Sequence, residues 1–160
     1  MKKQITLCLI LVLAFINQTQ AQNAGTLDST FNSTGSLILQ PGNQHDNLFD
    51  VGIQSDGKIV FCGVGRIYAT TGFVSDMVIG RRNTDGSADT SFGTNGYVFK
   101  DFGIGSDFAY NMAIQPDGKI VVVGGATRTT SGDVDWVVLR LLPNGNFDST
   151  FNSNGILLIP

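Results

Sequence analysis

The chain has 160 residues, a formal net charge of −3 at pH 7 and 20 glycines, and all 13 of its acidic residues are aspartate. Glutamate favours helices, whereas aspartate and glycine favour turns, so this composition predicts an all-β protein with many turns. An acidic chain without a basic cluster argues against nucleic acid or an anionic membrane as a partner.

The first residues have the pattern of a secretory signal peptide. Lys2 and Lys3 precede an apolar run at residues 5–16, and a polar stretch follows that ends at Ala21. The apolar run is shorter than the about twenty residues that span a bilayer. We therefore expect residues 1–21 to be removed after Ala21. The remainder, with a formal charge of −5 (8 basic minus 13 acidic residues), is expected to be secreted or held at the cell surface or in the periplasm, without membrane insertion.

Short strands are predicted in two successive sets after the signal peptide. Residues 22–35 precede them and have the pattern of the end of an earlier unit, and residues 156–160 begin a third. The first set is Ser36–Gln40, Leu48–Gln54, Lys58–Val64 and Asp76–Arg82. The second set is Tyr97–Phe102, Ala109–Gln115, Lys119–Gly125 and Asp135–Leu142.

A hairpin turn is predicted between the second and third strands of each set. Asp56-Gly57 and Asp117-Gly118 lie between apolar runs, and Asp-Gly in that position is a strong signal for a hairpin. Glycine supplies the positive φ that a tight turn requires, without steric strain.

The two sets are copies of one repeat, at residues 36–96 and 97–155. Residues 46–63 match residues 107–124 at nine of eighteen positions, and a second block recurs 59 residues further on. We interpret twelve recurring positions as structural repeat markers. They are Asp28, Phe31, Asp56, Gly57, Arg81, Asp89, Phe92, Asp117, Gly118, Arg140, Asp148 and Phe151.

The repeat predicts the architecture. The strands at residues 120–123 and 137–139 are apolar on both faces, which is typical of strands that are covered on both sides. A four-stranded antiparallel sheet that is covered on both faces and repeated in tandem is the unit of a β-propeller. We therefore predict two full propeller blades with a part-blade at each end. Since closed propellers usually have at least four blades, this one is expected to be incomplete.

Three motifs carry a resemblance to a known family. They are LDSTFNSTG at residues 27–35, VGIQSDGKIVFCG at residues 51–63 and DMVIGRRNTDGSADTSFGTNG at residues 76–96. Together they resemble the delta-60 repeat family of bacterial exported proteins, over nearly all of residues 25–160. Asn32 and Asn152 depart from the glycine that the family prefers after phenylalanine. The resemblance implies a propeller-like fold, and it implies no catalytic or binding residues.

The repeated aspartates Asp28, Asp89 and Asp148 could bind calcium, which prefers oxygen ligands. Their surroundings do not have the alternating spacing of a calcium loop. We therefore expect these side chains to accept hydrogen bonds from turn amides and to pair with Arg81 or Arg140 on the preceding strand.

Other chemically capable residues are few. His45 is the single histidine and is expected in a surface loop, and Cys62, the single cysteine after residue 21, is expected to be a small buried apolar residue. Trp136 aligns with Met77 and is expected in the core rather than in a sugar-binding platform. We predict no catalytic residues, no cofactor and no metal.

The leading hypothesis for function is an exported, non-enzymatic propeller-type repeat protein that serves as a structural or interaction module. The alternative is a lectin-like oligomeric propeller that binds carbohydrate, followed by a propeller-type metal-dependent hydrolase. Two blades alone would leave apolar faces uncovered. Two explanations stay open: the chain belongs to a longer propeller, or several copies assemble into a ring.

Overall fold

The computed structural model of the chain describes residues 25–43, 45–69, 72–103, 105–128 and 132–160. The predicted signal peptide lies outside the described residues. None of the described residues belongs to a helix that is long and apolar enough to cross a membrane.

The described residues form eight β-strands in two sheets, which confirms the all-β prediction. The first sheet has the order β1-β2-β3-β4 and the second has the order β5-β6-β7-β8, and all neighbouring strands are antiparallel. The strands are β1 (Asn47–Ile53), β2 (Ile59–Ala69), β3 (Gly72–Arg82), β4 (Tyr97–Lys100), β5 (Asp107–Ile114), β6 (Ile120–Thr127), β7 (Val134–Leu141) and β8 (Ile156–Ile159).

The sheets are offset by one strand from the repeat units at residues 36–96 and 97–155. The strand that begins at Tyr97 pairs with β3 and is the fourth strand of the first sheet, not the opening strand of the second. Likewise β8 pairs with β7 and completes the second sheet. Ser36–Gln40, predicted as a strand, is not assigned to one. A periodic sequence defines the length of a unit but not the residue at which a sheet begins, because pairing decides that boundary.

One turn type recurs at the β1–β2 and β5–β6 hairpins. Gly57 and Gly118 have φ of +82° and +80°. In the first of these turns the Gly57 N–H donates to Gln54 O, and the Gln54 N–H donates to Lys58 O, each at 2.9 Å. This is a three-residue loop in which glycine takes the left-handed position. The same pattern follows β3 and β7, at residues 83–87 and 142–146.

The apolar core lies between the two sheets. Strand β5 contacts β1, β2 and β3, so the first strand of the second sheet packs across the face of the first sheet. Fully buried side chains from both sheets meet there. They include Cys62, Met77 and Ile79 from the first sheet, and Ala109, Ile120, Val122 and Leu139 from the second.

The first sheet covers part of its own opposite face. The ring of Phe61 lies over Gly80, where no side chain stands in its way. The guanidinium of Arg82 lies 6.0 Å from the Phe61 ring and 4.7 Å from the Tyr97 ring. The counterparts of Phe61 and Gly80 in the second sheet are Val122 and Leu139, so this aromatic cover is a feature of the first sheet.

The packing of the Phe61 ring on Gly80 predicts that the effects of substitutions at these two positions on stability are strongly coupled. Gly80→Ala should lower the free energy of unfolding by about 1–3 kcal/mol, because the added Cβ collides with the Phe61 ring. Phe61→Val, which introduces the residue found at position 122, should remove most of that cost in the double variant. Urea unfolding of the four proteins measures the coupling. Additive effects of the two substitutions would contradict the arrangement.

Candidate functional site

Arg81 on β3 is the polar centre of the joint, as we name the contact between the two sheets. Its side chain is buried, and its Nε donates to Asp89 Oδ2 at 2.8 Å. Its Nη1 donates to Gln54 Oε1 at 3.2 Å and to Pro143 O at 2.5 Å. The guanidinium also lies 4.8 Å from the centre of the Phe92 ring. One side chain therefore links β3, the segment before β4 and the second sheet.

Asp89 is held in its ionised form. Burial opposes its charge, but hydrogen bonds from Ser91 and Lys58 outweigh burial, and together with the charge of Arg81 they hold the pKa of the Asp89 carboxyl well below its usual range. Asp89 Oδ1 accepts from both the backbone N–H and the hydroxyl of Ser91, at 3.0 and 2.6 Å. Asp89 therefore caps a turn and pairs with the preceding arginine, as expected from the sequence.

The segment before β4 also binds the second sheet through its backbone. The Gly93 N–H donates to Asn144 O at 2.9 Å. The Phe92 ring is fully buried and packs against Gly145, where a Cβ would lie 3.2 Å from the ring. The recurring phenylalanine therefore fills the joint between neighbouring sheets.

The second sheet carries the same residues with fewer contacts among the described residues. Arg140 Nε donates to Asp148 Oδ2 at 2.8 Å, and the guanidinium lies 5.0 Å from the Phe151 ring. Gln115 aligns with Gln54, and its Oε1 is buried without a hydrogen-bond partner among the described residues. The carbonyl contacts that Arg81 and Gln54 make to a following sheet have no equivalent here within the described chain.

The outer face of the second sheet, the face turned away from the first sheet, is uncovered. Trp136 is 72% exposed, whereas its counterpart Met77 is 0% exposed. Val123 is 39% exposed, whereas its counterpart Cys62 is 0% exposed. Tyr110 lines a cleft of about 330 Å³ with these residues. The prediction that Trp136 belongs to the core is therefore wrong, because this position is buried only where another sheet follows.

Three carboxylates of the described residues could hold a divalent cation. Oxygens of Asp76, Asp101 and Asp107 lie within 4.8 Å of one another. Burial, and then the charge of Asp101, raises the pKa of Asp76. Burial also raises the pKa of Asp107, against the hydrogen bonds from the Phe102 and Thr127 amides. The cluster is therefore electrostatically strained when all three groups are ionised.

Asp107 nevertheless has a structural role that recurs in the repeat. Its carboxylate accepts from Phe102 N at 2.7 Å and from Thr127 N at 3.1 Å. Asp46, its counterpart, accepts from Gly42 N at 3.0 Å and from Arg66 N at 2.9 Å. Each aspartate ties the start of one strand to the neighbouring strand.

The single histidine and the buried cysteine are the remaining candidate groups. His45 is exposed. The Cys62 thiol is buried, and burial, followed by the charge of Asp50, raises its pKa to about 12. Its Sγ donates to Ala109 O across the joint at 3.6 Å. A thiol with this pKa is not a nucleophile near neutral pH.

Sequence reasoning missed the Gln54/Gln115 pair and the three-carboxylate cluster. The glutamine recurs in the repeat, two residues before each Asp-Gly pair, so its signal was present. Asp101 has no such signal, since it reaches the cluster only because β4 pairs with β3.

The contacts of the joint predict that substituting two aligned arginines lowers the free energy of unfolding by unequal amounts. Arg81→Met should lower the free energy of unfolding by about 1–3 kcal/mol, because it removes one of the two cations that pair with the buried Asp89 and leaves Gln54 Oε1 and Pro143 O without their donor. Arg140→Met, the matched control, should cost distinctly less, because the Arg140 side chain is more exposed and contacts no following sheet in the described chain. Chemical denaturation measures both. Equal losses would contradict the bridging role of Arg81.

The three-carboxylate cluster predicts that a neutral side chain at position 76 stabilises the protein by an amount that depends on pH. Because the folded-state pKa of Asp76 is raised, its ionised form opposes folding above that pKa, and the cost disappears as the pH falls through it. Asp76→Asn should therefore raise the melting temperature at pH 7 and lose this advantage in acid. Asp135→Asn is the control, because Asp135 pairs with Arg128. A pH-independent effect of Asp76→Asn would contradict the electrostatic origin.

Comparison with known proteins agrees with this geometry. Residues 54–92 and 115–151 match the model of a family described as a domain of unknown function (DUF5122), beta-propeller. No curated protein matches the chain. The first matched segment begins at Gln54 and ends at Phe92 of the joint, and the second begins and ends at their counterparts, Gln115 and Phe151. The two sheets are blades of β-propeller type, and they form an incomplete propeller.

Proposed function

We propose that the chain is an exported, non-enzymatic propeller-type module that acts by binding a protein partner through the outer face of the second sheet. One observation carries the proposal: Trp136 is 72% exposed at a position where Met77 is completely covered by a neighbouring sheet. An exposed aromatic and aliphatic surface of this kind is typical of an interaction site.

Polar groups at the edge of this face support the same proposal. Arg140 is already oriented by Asp148, and the buried Gln115 Oε1 lacks a partner within the described residues. In the joint, Arg81 Nη1 donates to Gln54 Oε1 and to Pro143 O, and Gln54 Nε2 donates to Gly118 O. A partner that presents main-chain carbonyls beside an apolar strand would therefore accept from Arg140 and from the amide nitrogen of Gln115, and would cover the apolar surface.

Export and the finer family assignment rest on the sequence. The two N-terminal lysines followed by an apolar run support export. The motifs at residues 27–35, 51–63 and 76–96 support an assignment to the delta-60 repeats. Export and the assignment to the delta-60 repeats are therefore parts of the proposal.

Carbohydrate binding is the second candidate. Trp136 and Tyr110 line the same cleft of about 330 Å³ above Gly124 and Gly125, and exposed aromatic rings suit the apolar faces of sugars. A glycan array probed with residues 22–160 separates the two candidates. Glycan binding that is lost in Trp136→Met would favour carbohydrate over a protein partner.

The single tryptophan of the chain allows a direct test. Residues 22–160, which contain every described residue, are labelled with 5-fluorotryptophan and give one ¹⁹F signal from Trp136. The label is followed as the protein is concentrated and as a cell-envelope extract of its source organism is added. A partner on the outer face should shift and broaden the signal, because it covers the indole ring.

Two unlabelled variants serve as matched competitors. Trp136→Met carries the residue of the internal joint and should compete for the partner, whereas Trp136→Asp should not. A signal that stays unchanged under all conditions, or equal competition by both variants, would contradict the proposal.

A further inference from the structure

The chain contains three closing segments, as we name the stretches that run from a turn glycine to the end of a fourth strand. They are residues 25–39, 86–100 and 145–159. The first and the third are identical at nine of fifteen positions, including the run DSTFNS. The middle segment matches them at only four and five positions. The two outer segments are therefore more alike than either is to the segment at the internal joint.

The two outer closing segments also share one conformation. Asn32 and Asn152 both have φ of +47°, in the left-handed region. Asn32 Nδ2 donates to Ser36 O at 2.8 Å, and Asn152 Nδ2 donates to Ile156 O at 2.6 Å. Asp28 and Asp148 each accept from the threonine hydroxyl two residues later, at 2.7 Å. Residues 25–39 are therefore already shaped like residues 145–159.

Their surroundings differ in one respect. Ile156–Ile159 forms β8 and pairs with β7. The aligned residues 36–39 form no strand in the described structure, and Ile38 is 90% exposed. The first closing segment thus carries a fourth-strand sequence without the three strands that it would complete.

The link from this segment to the first sheet has the geometry of an internal joint. Asp28 precedes the strand-tying Asp46 by 18 residues, and Asp89 precedes Asp107 by the same number. The Asn32 N–H donates to Asp85 O at 2.8 Å, as the Gly93 N–H donates to Asn144 O. Residues 25–39 are therefore placed on the first sheet as residues 86–100 are placed on the second.

We propose that copies of this chain exchange closing segments. Residues 25–39 of one copy replace residues 145–159 on the second sheet of another, and the first sheet of the incoming copy then covers Trp136. The inference rests on the proposed function and names its partner as a second copy. Because the two segments are identical at nine of fifteen positions and share one conformation, most of the contacts that one loses are remade by the other. The net gain is the apolar surface buried between the two copies.

The surfaces that would meet are compatible. In the internal joint the Met77 methyl group lies over Gly124, where a Cβ would be 3.0 Å from it. Trp136 would meet the aligned Gly63 of the incoming copy. Exposed apolar residues of β1, Val51 and Ile53, would meet the outer face. The incoming first sheet also brings the main-chain carbonyls of its turns to the second sheet, where they would accept from Arg140 and from the amide nitrogen of Gln115, as Pro143 O and Gly118 O accept from Arg81 and Gln54.

Disulfide trapping tests the exchange. Leu157 lies directly opposite Val138 across β7 and β8. Leu37 aligns with Leu157, so after exchange Leu37 of one copy should lie opposite Val138 of the other. Leu37→Cys and Val138→Cys are made separately in residues 22–160, both with Cys62→Val, then mixed and oxidised. Residues directly opposite on neighbouring strands lie within disulfide range.

The matched control is Ile38→Cys, because the next residue of a strand points to the opposite face. Peptide mapping by mass spectrometry should find the 37–138 link in several-fold excess over a 38–138 link. Equal yields, or no link while the mixed proteins stay folded, would overturn the exchange. If the link is absent but the ¹⁹F signal of Trp136 responds to another partner, the exchange fails and the proposed function stands. If neither responds, both fail.

Discussion

The guanidinium of Arg81 joins three parts of the molecule that are distant in sequence. It binds Asp89 before β4, Gln54 at the end of β1 and the carbonyl of Pro143 in the second sheet. A buried guanidinium is tolerated only when its donors are paired, so its position fixes all three parts at once. Neither sheet provides these partners alone. A blade of this protein is therefore complete only when another blade follows it.

This constraint makes the two ends of the pair of sheets different. The first sheet is followed by the second, and its Arg81, Met77 and Cys62 are buried. The second sheet presents the aligned residues to solvent, with Trp136 as the largest. The opposite end differs, because the Phe61 ring covers Gly80 and the Arg82 guanidinium lies near it. The outer face of the first sheet is therefore partly covered, whereas Val51 and Ile53 of β1 stay exposed on it.

The acidic cluster has a different origin. Asp107 ties strands together, as Asp46 does, whereas Asp76 and Asp101 are brought beside it by the pairing of β3 with β4. Its raised pKa values follow from burial and from like charges in close proximity. The fold tolerates this repulsion between carboxylates, because its stability depends mainly on the joint between the sheets.

Local chemistry and repetition made most of the fold predictable. Asp-Gly turns and the spacing of Phe31, Phe92 and Phe151 predict strands, hairpins and blades, because these depend on neighbouring residues. The pairing of Asp89 with Arg81 was also predictable, since the two positions recur together. The strand at which each sheet begins was not, because a periodic pattern has no unique start. The exposure of Trp136 was not predictable either, since burial there depends on a following sheet.

Hydrogen exchange of residues 22–160, measured strand by strand over a range of protein concentrations, tests the central claim most directly. The claim is that each blade is stabilised by the blade that follows it. In dilute solution the amides of β6 and β7 should exchange faster than those of β2 and β3, and they should become protected as the concentration rises. Equal exchange rates in both sheets at every concentration would contradict the claim.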